Sequence, residues 1–79
     1  MTPDNARQVI FAVIGEIAPN ADPSALKGDE DMRLALDLDS MDFLNLLAGL
    51  QERTGIEVPD KHASKLFTLD GAIAYLGER

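Results

Sequence analysis

An all-α fold follows from three observations on this 79-residue chain. Apolar residues recur at spacings of three and four in two long stretches, one beginning at Ala6 and one at Phe43. Capping residue types, prolines and glycines bound those stretches. No segment sustains the alternation, flanked by turn residues, that a paired strand requires. The prediction is a small four-helix bundle with three main helices, one short helix and a long first loop, in a single domain spanning residues 1–79.

The first helix is expected from about Pro3 to about Ile17. Thr2 is a cap candidate, Pro3 suits the first helical position, and Asp4 places an acid in the first turn. Ala6, Ile10, Val13, Ile14 and Ile17 form its apolar stripe, and Val9, Phe11 and Ala12 widen it. Pro19 stops the helix, because the residue before a proline is pushed out of the helical region. From Asn20 to Asp39 no period persists. Asp22-Pro23-Ser24-Ala25-Leu26 reads as one capped turn, and Gly28 interrupts the chain after it. A connection this long is uncommon in a compact domain unless it is anchored or functional. Leu26, Met32, Leu34, Leu36 and Leu38 are expected to anchor it.

The main second helix is expected from about Ser40 to about Thr54, with Gly55 as its left-handed C-terminal residue. At 100° per residue, Phe43, Leu46, Leu47, Leu50 and Thr54 share the inner face. Met41, Leu44 and Ala48 form an apolar flank, while Asp42, Asn45, Gly49 and Glu52 point away. That flank is either ordinary core or a docking surface. Ile56 to Pro59 is an extended link, and Asp60 caps a brief helix ending at Leu66. Thr68 caps a last helix from Leu69 to about Leu76, ended by Gly77, with Ile73 and Leu76 inward and Leu69 and Ala72 supporting.

Composition narrows the function classes. Apolar residues make up 46% of the chain, ordinary for a folded globule. There is no cysteine, hence no disulfide framework or thiolate metal site, and His62 is the only histidine. Neither a signal peptide nor a membrane span is legible, so a cytoplasmic protein is expected. Fourteen acids against seven bases give a formal charge of −7. That charge argues against nucleic acid and anionic membranes as partners, and favours proteins with basic patches. Its simpler reading is solubility.

Little catalytic chemistry is available. A Ser-His-Asp site needs a base beside its serine, and His62 stands on a separate short helix beside Lys61 with no G-x-S-x-G elbow anywhere. A solvent-exposed histidine is the expected reading. The acids from Asp29 to Asp39 fail as a calcium loop, because Arg33 and Leu34 stand where an oxygen ligand and a glycine are needed and Ser40 where a glutamate is. The six glycines are scattered, so no phosphate loop is present. No metal site is expected.

The period changes at Asp39-Ser40, within Leu36-Asp37-Leu38-Asp39-Ser40-Met41-Asp42-Phe43-Leu44. Asp-Ser at a helix start is by itself an ordinary cap. The same place suits an anion: a phosphate carried on that hydroxyl faces free backbone N–H groups and the positive end of the helix dipole.

Beyond these local readings, the chain resembles the acyl carrier protein family. The resemblance rests on Leu36-x-Leu38-Asp39-Ser40-Met41-Asp42, then Leu46-Leu47 and Leu50, then Gly55-Ile56-Glu57-Val58-Pro59-Asp60. It continues through Thr68 to Ala72-Ile73 and Tyr75-Leu76, and covers in effect the whole chain. It implies that Ser40 is the attachment point of 4′-phosphopantetheine, transferred from coenzyme A by a separate Mg²⁺-dependent phosphopantetheinyl transferase. It implies a carrier of acyl groups held as thioesters rather than an enzyme, with Asp39 helping to present Ser40 to the transferase. Met41, Asp42, Leu44, Ala48 and Glu52 of the second helix are then the surface read by acyl-loading and acyl-processing enzymes with basic docking patches. The carrier is expected to be monomeric.

Two departures from the family stand out. Asn45, Ala48, Gly49 and Gln51 leave the second helix with only Asp42 and Glu52 as acids, countered by Arg53, whereas family members serving fatty-acid synthesis carry several glutamates there. Fatty-acid, polyketide or a related specialised pathway all remain open, and the thinned acidity favours the specialised one. Phe43 stands where the family often has a small residue, either packing in the core or narrowing the mouth of an acyl cavity. The alternative for the whole chain is an unmodified helical interaction domain that docks through Met41, Leu44 and Ala48.

Overall fold

The computed structural model describes residues 1–78. Helix α1 spans Pro3–Ile17. The Thr2 hydroxyl accepts the Asn5 N–H at 3.2 Å, and Pro3 occupies the first turn, where a missing N–H costs nothing. Ala6, Ile10, Val13 and Ile14 are buried. Ala12, expected to widen that face, is exposed, and Val9 and Phe11 are half-buried. The reason is packing: α1 buries a single stripe against two partners, the later helices Ser40–Thr54 and Leu69–Gly77.

The long loop contains more structure than its sequence suggests. The Asp22 carboxylate accepts the Ser24 N–H at 3.1 Å and caps a 3₁₀ turn, Pro23–Ala25, as expected. A four-residue helix, α2 (Met32–Ala35), was not legible from periodicity because it completes barely one turn. Backbone contacts pin the loop to the start of the last helix. Met32 N–H donates to the Phe67 carbonyl at 2.8 Å, Asp70 N–H donates to the Gly28 carbonyl at 3.0 Å, and Asp31 forms an isolated antiparallel bridge with Thr68.

Met32 and Leu38 anchor the loop in the core, and Leu26 and Leu36 are half-buried. Leu34 does the opposite. Expected as an anchor, it is 82% exposed. Two residues beyond Met32 on a helix, it points about 200° away from the buried side.

Helix α3 (Ser40–Thr54) buries Phe43, Leu46 and Leu50, with Leu47 and Thr54 half-buried, so the inner face is the expected one. Gly55 closes it at φ 73°, a left-handed conformation suited to a residue without Cβ, and its N–H donates to the Gln51 carbonyl at 2.8 Å. Gly49 departs from expectation. It faces α1 rather than solvent, and a Cβ there would sit 2.6 Å from Val13 Cγ1. The glycine lets the two helices approach. Arg53 and Glu16 pair across the far ends of the same two helices.

A 3₁₀ helix, Asp60–Leu66, follows the extended link. Asp60 is not its cap, since Pro59 takes that position without a side-chain bond and Asp60 lies in the first turn. Helix α4 (Leu69–Gly77) is capped by Thr68, whose hydroxyl accepts the Gly71 N–H at 3.0 Å. Leu69, Ala72, Tyr75 and Leu76 are buried, and Ile73, expected inward, is only half-buried. His62 is also half-buried rather than exposed, with Nδ1 3.0 Å from the Tyr75 hydroxyl and the two rings edge to face. The all-helical architecture is the expected one, with three main helices around the core and the short helix and long first loop in place. Among the described residues no helix is long and apolar enough to cross a membrane.

Candidate functional site

The site is assembled by the chain reversal that ends the long loop. Asp37 adopts φ 55°, the one non-glycine with positive φ among the described residues, and aspartate is among the few residues that tolerate it. The Leu38 N–H donates back to the Arg33 carbonyl at 2.8 Å, which closes the turn, and the Leu38 side chain drops into the core. Asp39 and Ser40 are thereby delivered at the surface, and both are exposed.

Asp39 and Ser40 then take different positions. Asp39 is the cap: it has extended φ/ψ, and its Oδ1 accepts the Asp42 N–H at 2.8 Å. Asp42 reciprocates, its Oδ2 accepting the Asp39 N–H at 3.2 Å, which completes a capping box. Ser40 is the first helical residue, with its hydroxyl outside that network. Its backbone N–H and that of Met41 donate to no protein oxygen among the described residues. These are the orphan donors of a helix start, at the positive end of the helix dipole. A phosphoester on Ser40 Oγ fits this arrangement, because the oxygen is reachable and the nearest backbone groups are donors.

The rest of the site divides by exposure. Met41 is 64% exposed and Leu44 54%, with Ala48 and Glu52 also away from the core, so the expected flank lies on the surface. Asp42 is half-buried by its role in the cap rather than pointing freely away. Beside the start of α3 lies an open cleft of about 320 Å³ bordered by Asp37, Asp42, Leu36 and Ile17.

Phe43 turns inward. It is only 6% exposed and meets Phe67 edge to face, with ring centroids 5.3 Å apart. The Arg33 guanidinium covers Phe67 at 3.5 Å from its centroid and is itself held by Asp31, through bonds of 3.1 Å and 2.7 Å to the two carboxylate oxygens. Those side-chain bonds hold the Asp31 carboxyl below its ordinary value of 3.8, against partial desolvation, and raise Arg33 in return. A cation–aromatic layer therefore closes the core beside the site. Sequence reasoning missed it, and the only local signal was the Asp31-x-Arg33 spacing. The capping box was also missed, although Asp39-x-x-Asp42 has its spacing.

No histidine stands at Ser40, and the Asp39 and Asp42 carboxylates beside it are engaged in the capping box. The neighbours Asp37, Asp39 and Asp42 are acids, and His62 is engaged with Tyr75. Among the described residues no three His, Asp or Glu side chains converge to hold a metal ion. The geometry offers an exposed hydroxyl on the first residue of α3.

The model of a family described as a phosphopantetheine attachment site matches residues 8–76 of this chain. An acyl carrier protein of Rubrobacter xylanophilus is 33% identical over 75 residues, covering 91% of this chain and 93% of that protein. One from Rickettsia canadensis is 31% identical over 78 residues, covering 99% and 90%. One from Campylobacter hominis is 37% identical over 54 residues, covering 68% of each.

Proposed function

The chain belongs to the phosphopantetheine-attachment family of acyl carrier proteins, and from that premise we propose that Ser40 is its attachment residue. Members of the family are carriers rather than catalysts. They hold 4′-phosphopantetheine covalently and meet a phosphopantetheinyl transferase and acyl-processing enzymes. When attached, the group supplies the thiol that holds an acyl cargo as a thioester, a function this cysteine-free chain has no side chain to perform.

The observation that carries the assignment is the division of labour at the start of α3. Asp39 satisfies the cap and leaves Ser40 exposed on a first turn closed by a capping box. Asp39 is then a positioning residue, acting through the backbone of the turn it caps. Met41, Asp42, Leu44, Ala48 and Glu52 are the docking surface, an apolar flank with an acid at each end. Residues 1–79 act as one carrier domain, monomeric and cytoplasmic. The cargo belongs to fatty-acid, polyketide or a related specialised pathway. The specialised reading is supported by the few acids on α3 and by Arg53, which is paired with Glu16 at its far end.

The test is intact-protein mass spectrometry after incubation with coenzyme A, Mg²⁺ and a permissive phosphopantetheinyl transferase. Wild type gains the mass of one phosphopantetheine and Ser40→Ala gains none. Equal gain by Ser40→Ala, or no gain by wild type, removes the assignment. The second result would leave the exposed Met41 and Leu44 to an unmodified interaction domain.

A further inference from the structure

We infer that Leu34, in the one-turn helix α2 that precedes Ser40 in the chain, is part of the surface that the phosphopantetheinyl transferase covers. This role rests on the assignment of Ser40 above and adds a residue outside α3. Leu34 is the most exposed of the large apolar side chains, at 82%, and nothing in the fold uses it. An isolated exposed leucine needs no explanation, but this one lies close to the reacting oxygen.

The distance follows from one hydrogen bond. Leu34 N is bonded to the carbonyl carbon of Arg33, whose oxygen accepts the Leu38 N–H at 2.8 Å. Two further residues lead to Ser40. Adding bond lengths and the reach of two residues places the Leu34 and Ser40 backbones within about 13 Å of each other. A standard interface of roughly 800 Å² per partner is a patch of about 16 Å radius. Leu34 therefore lies within the radius of a standard interface centred on Ser40.

Charge identifies what such a surface fits. Asp37 and Asp39 lie on the short path between Leu34 and Ser40, with Asp39 exposed, and Asp42 comes next along α3. The nearby cation, Arg33, is turned onto Asp31 and Phe67. The partner surface is an apolar depression for Leu34 bordered by lysine or arginine, the complement of a leucine beside acids on a chain of charge −7. This commits the surface to the enzyme that must reach the unmodified serine. A self-associating copy would carry the same acids and is disfavoured.

The experiment is steady-state transfer from coenzyme A to wild type, Leu34→Ser and Leu34→Glu by one transferase with Mg²⁺, varying the carrier concentration. A side chain this exposed contributes little packing, so both variants are expected to keep the wild-type circular dichroism spectrum and melting temperature. The expected result is a KM for the carrier raised about tenfold in Leu34→Ser and raised by less in Leu34→Glu, whose carboxylate meets the basic border, with kcat within about twofold of wild type. Wild-type KM in both variants, with normal loading of wild type, overturns the role of Leu34 and leaves the Ser40 assignment standing. Failure of wild type to load at all overturns both. Sedimentation showing that wild type dimerises and Leu34→Glu does not would reassign the surface to a second copy.

Discussion

Asp39 holds the first turn of α3 through one carboxylate oxygen on the Asp42 N–H, and Asp42 answers through the Asp39 N–H. Asp39→Ala leaves the Asp42 N–H without its acceptor and is expected to cost about 1 kcal/mol, read as a lower urea midpoint with an unchanged m-value. Asp39→Asn keeps an acceptor and is expected to recover most of the loss. Transfer to Ser40 should fall in the same order, since the hydroxyl is positioned by the turn that Asp39 closes. At this scale the sequence was ambiguous for a physical reason. Aspartate and serine are both strong caps, and only the backbone at Asp39, with φ −84° and ψ −179°, decides which of two adjacent residues lies outside the helix. Leu34 shows the opposite difficulty. Its hydrophobicity marked it as an anchor, but a one-turn helix has room for only one buried position, and Met32 takes it.

Helix boundaries were the most legible feature. Thr2, Pro3 and Pro19 around α1, Asp39 and Gly55 around α3, and Thr68 before α4 are chemically distinct stops and starts. What periodicity cannot supply is the neighbour. A helical projection placed Gly49 outward, yet it sits against Val13, because α1 crosses close to that side of α3. Gly49→Ala is therefore expected to cost about 1–3 kcal/mol, as an added methyl forces the helices apart. Combining it with Val13→Ala, which removes the opposing methyls, should give less destabilisation than the two single changes added together. A thermodynamic cycle from urea denaturation measures that coupling. Strict additivity would mean that the close approach is not what the glycine serves.

Across the whole molecule, the Asp31–Arg33 pair and the Phe67–Phe43 pair join the long loop, the start of α4 and α3 into one layer. Only its Asp31-x-Arg33 part is local; Phe43 and Phe67 are far apart in sequence, so no local pattern could announce their contact, whereas the all-helical class and the helix start at Asp39-Ser40 were local and legible. The layer has a pH signature. Asp31 titrates below its ordinary 3.8 when folded, so its stabilisation is complete above that value and fades as pH falls through it toward the lowered folded value. Melting temperatures from pH 6 to 3 should therefore fall less steeply for Asp31→Asn than for wild type, so that the two curves draw together toward acid. The central claim is that this fold presents Ser40 to receive phosphopantetheine. Mass spectrometry of the protein purified from its own cells, with the modified peptide mapped, tests it most directly. The predicted result is one phosphopantetheine, with or without an acyl group, on the peptide containing Ser40. An unmodified chain, or the group attached to any other residue, would contradict it.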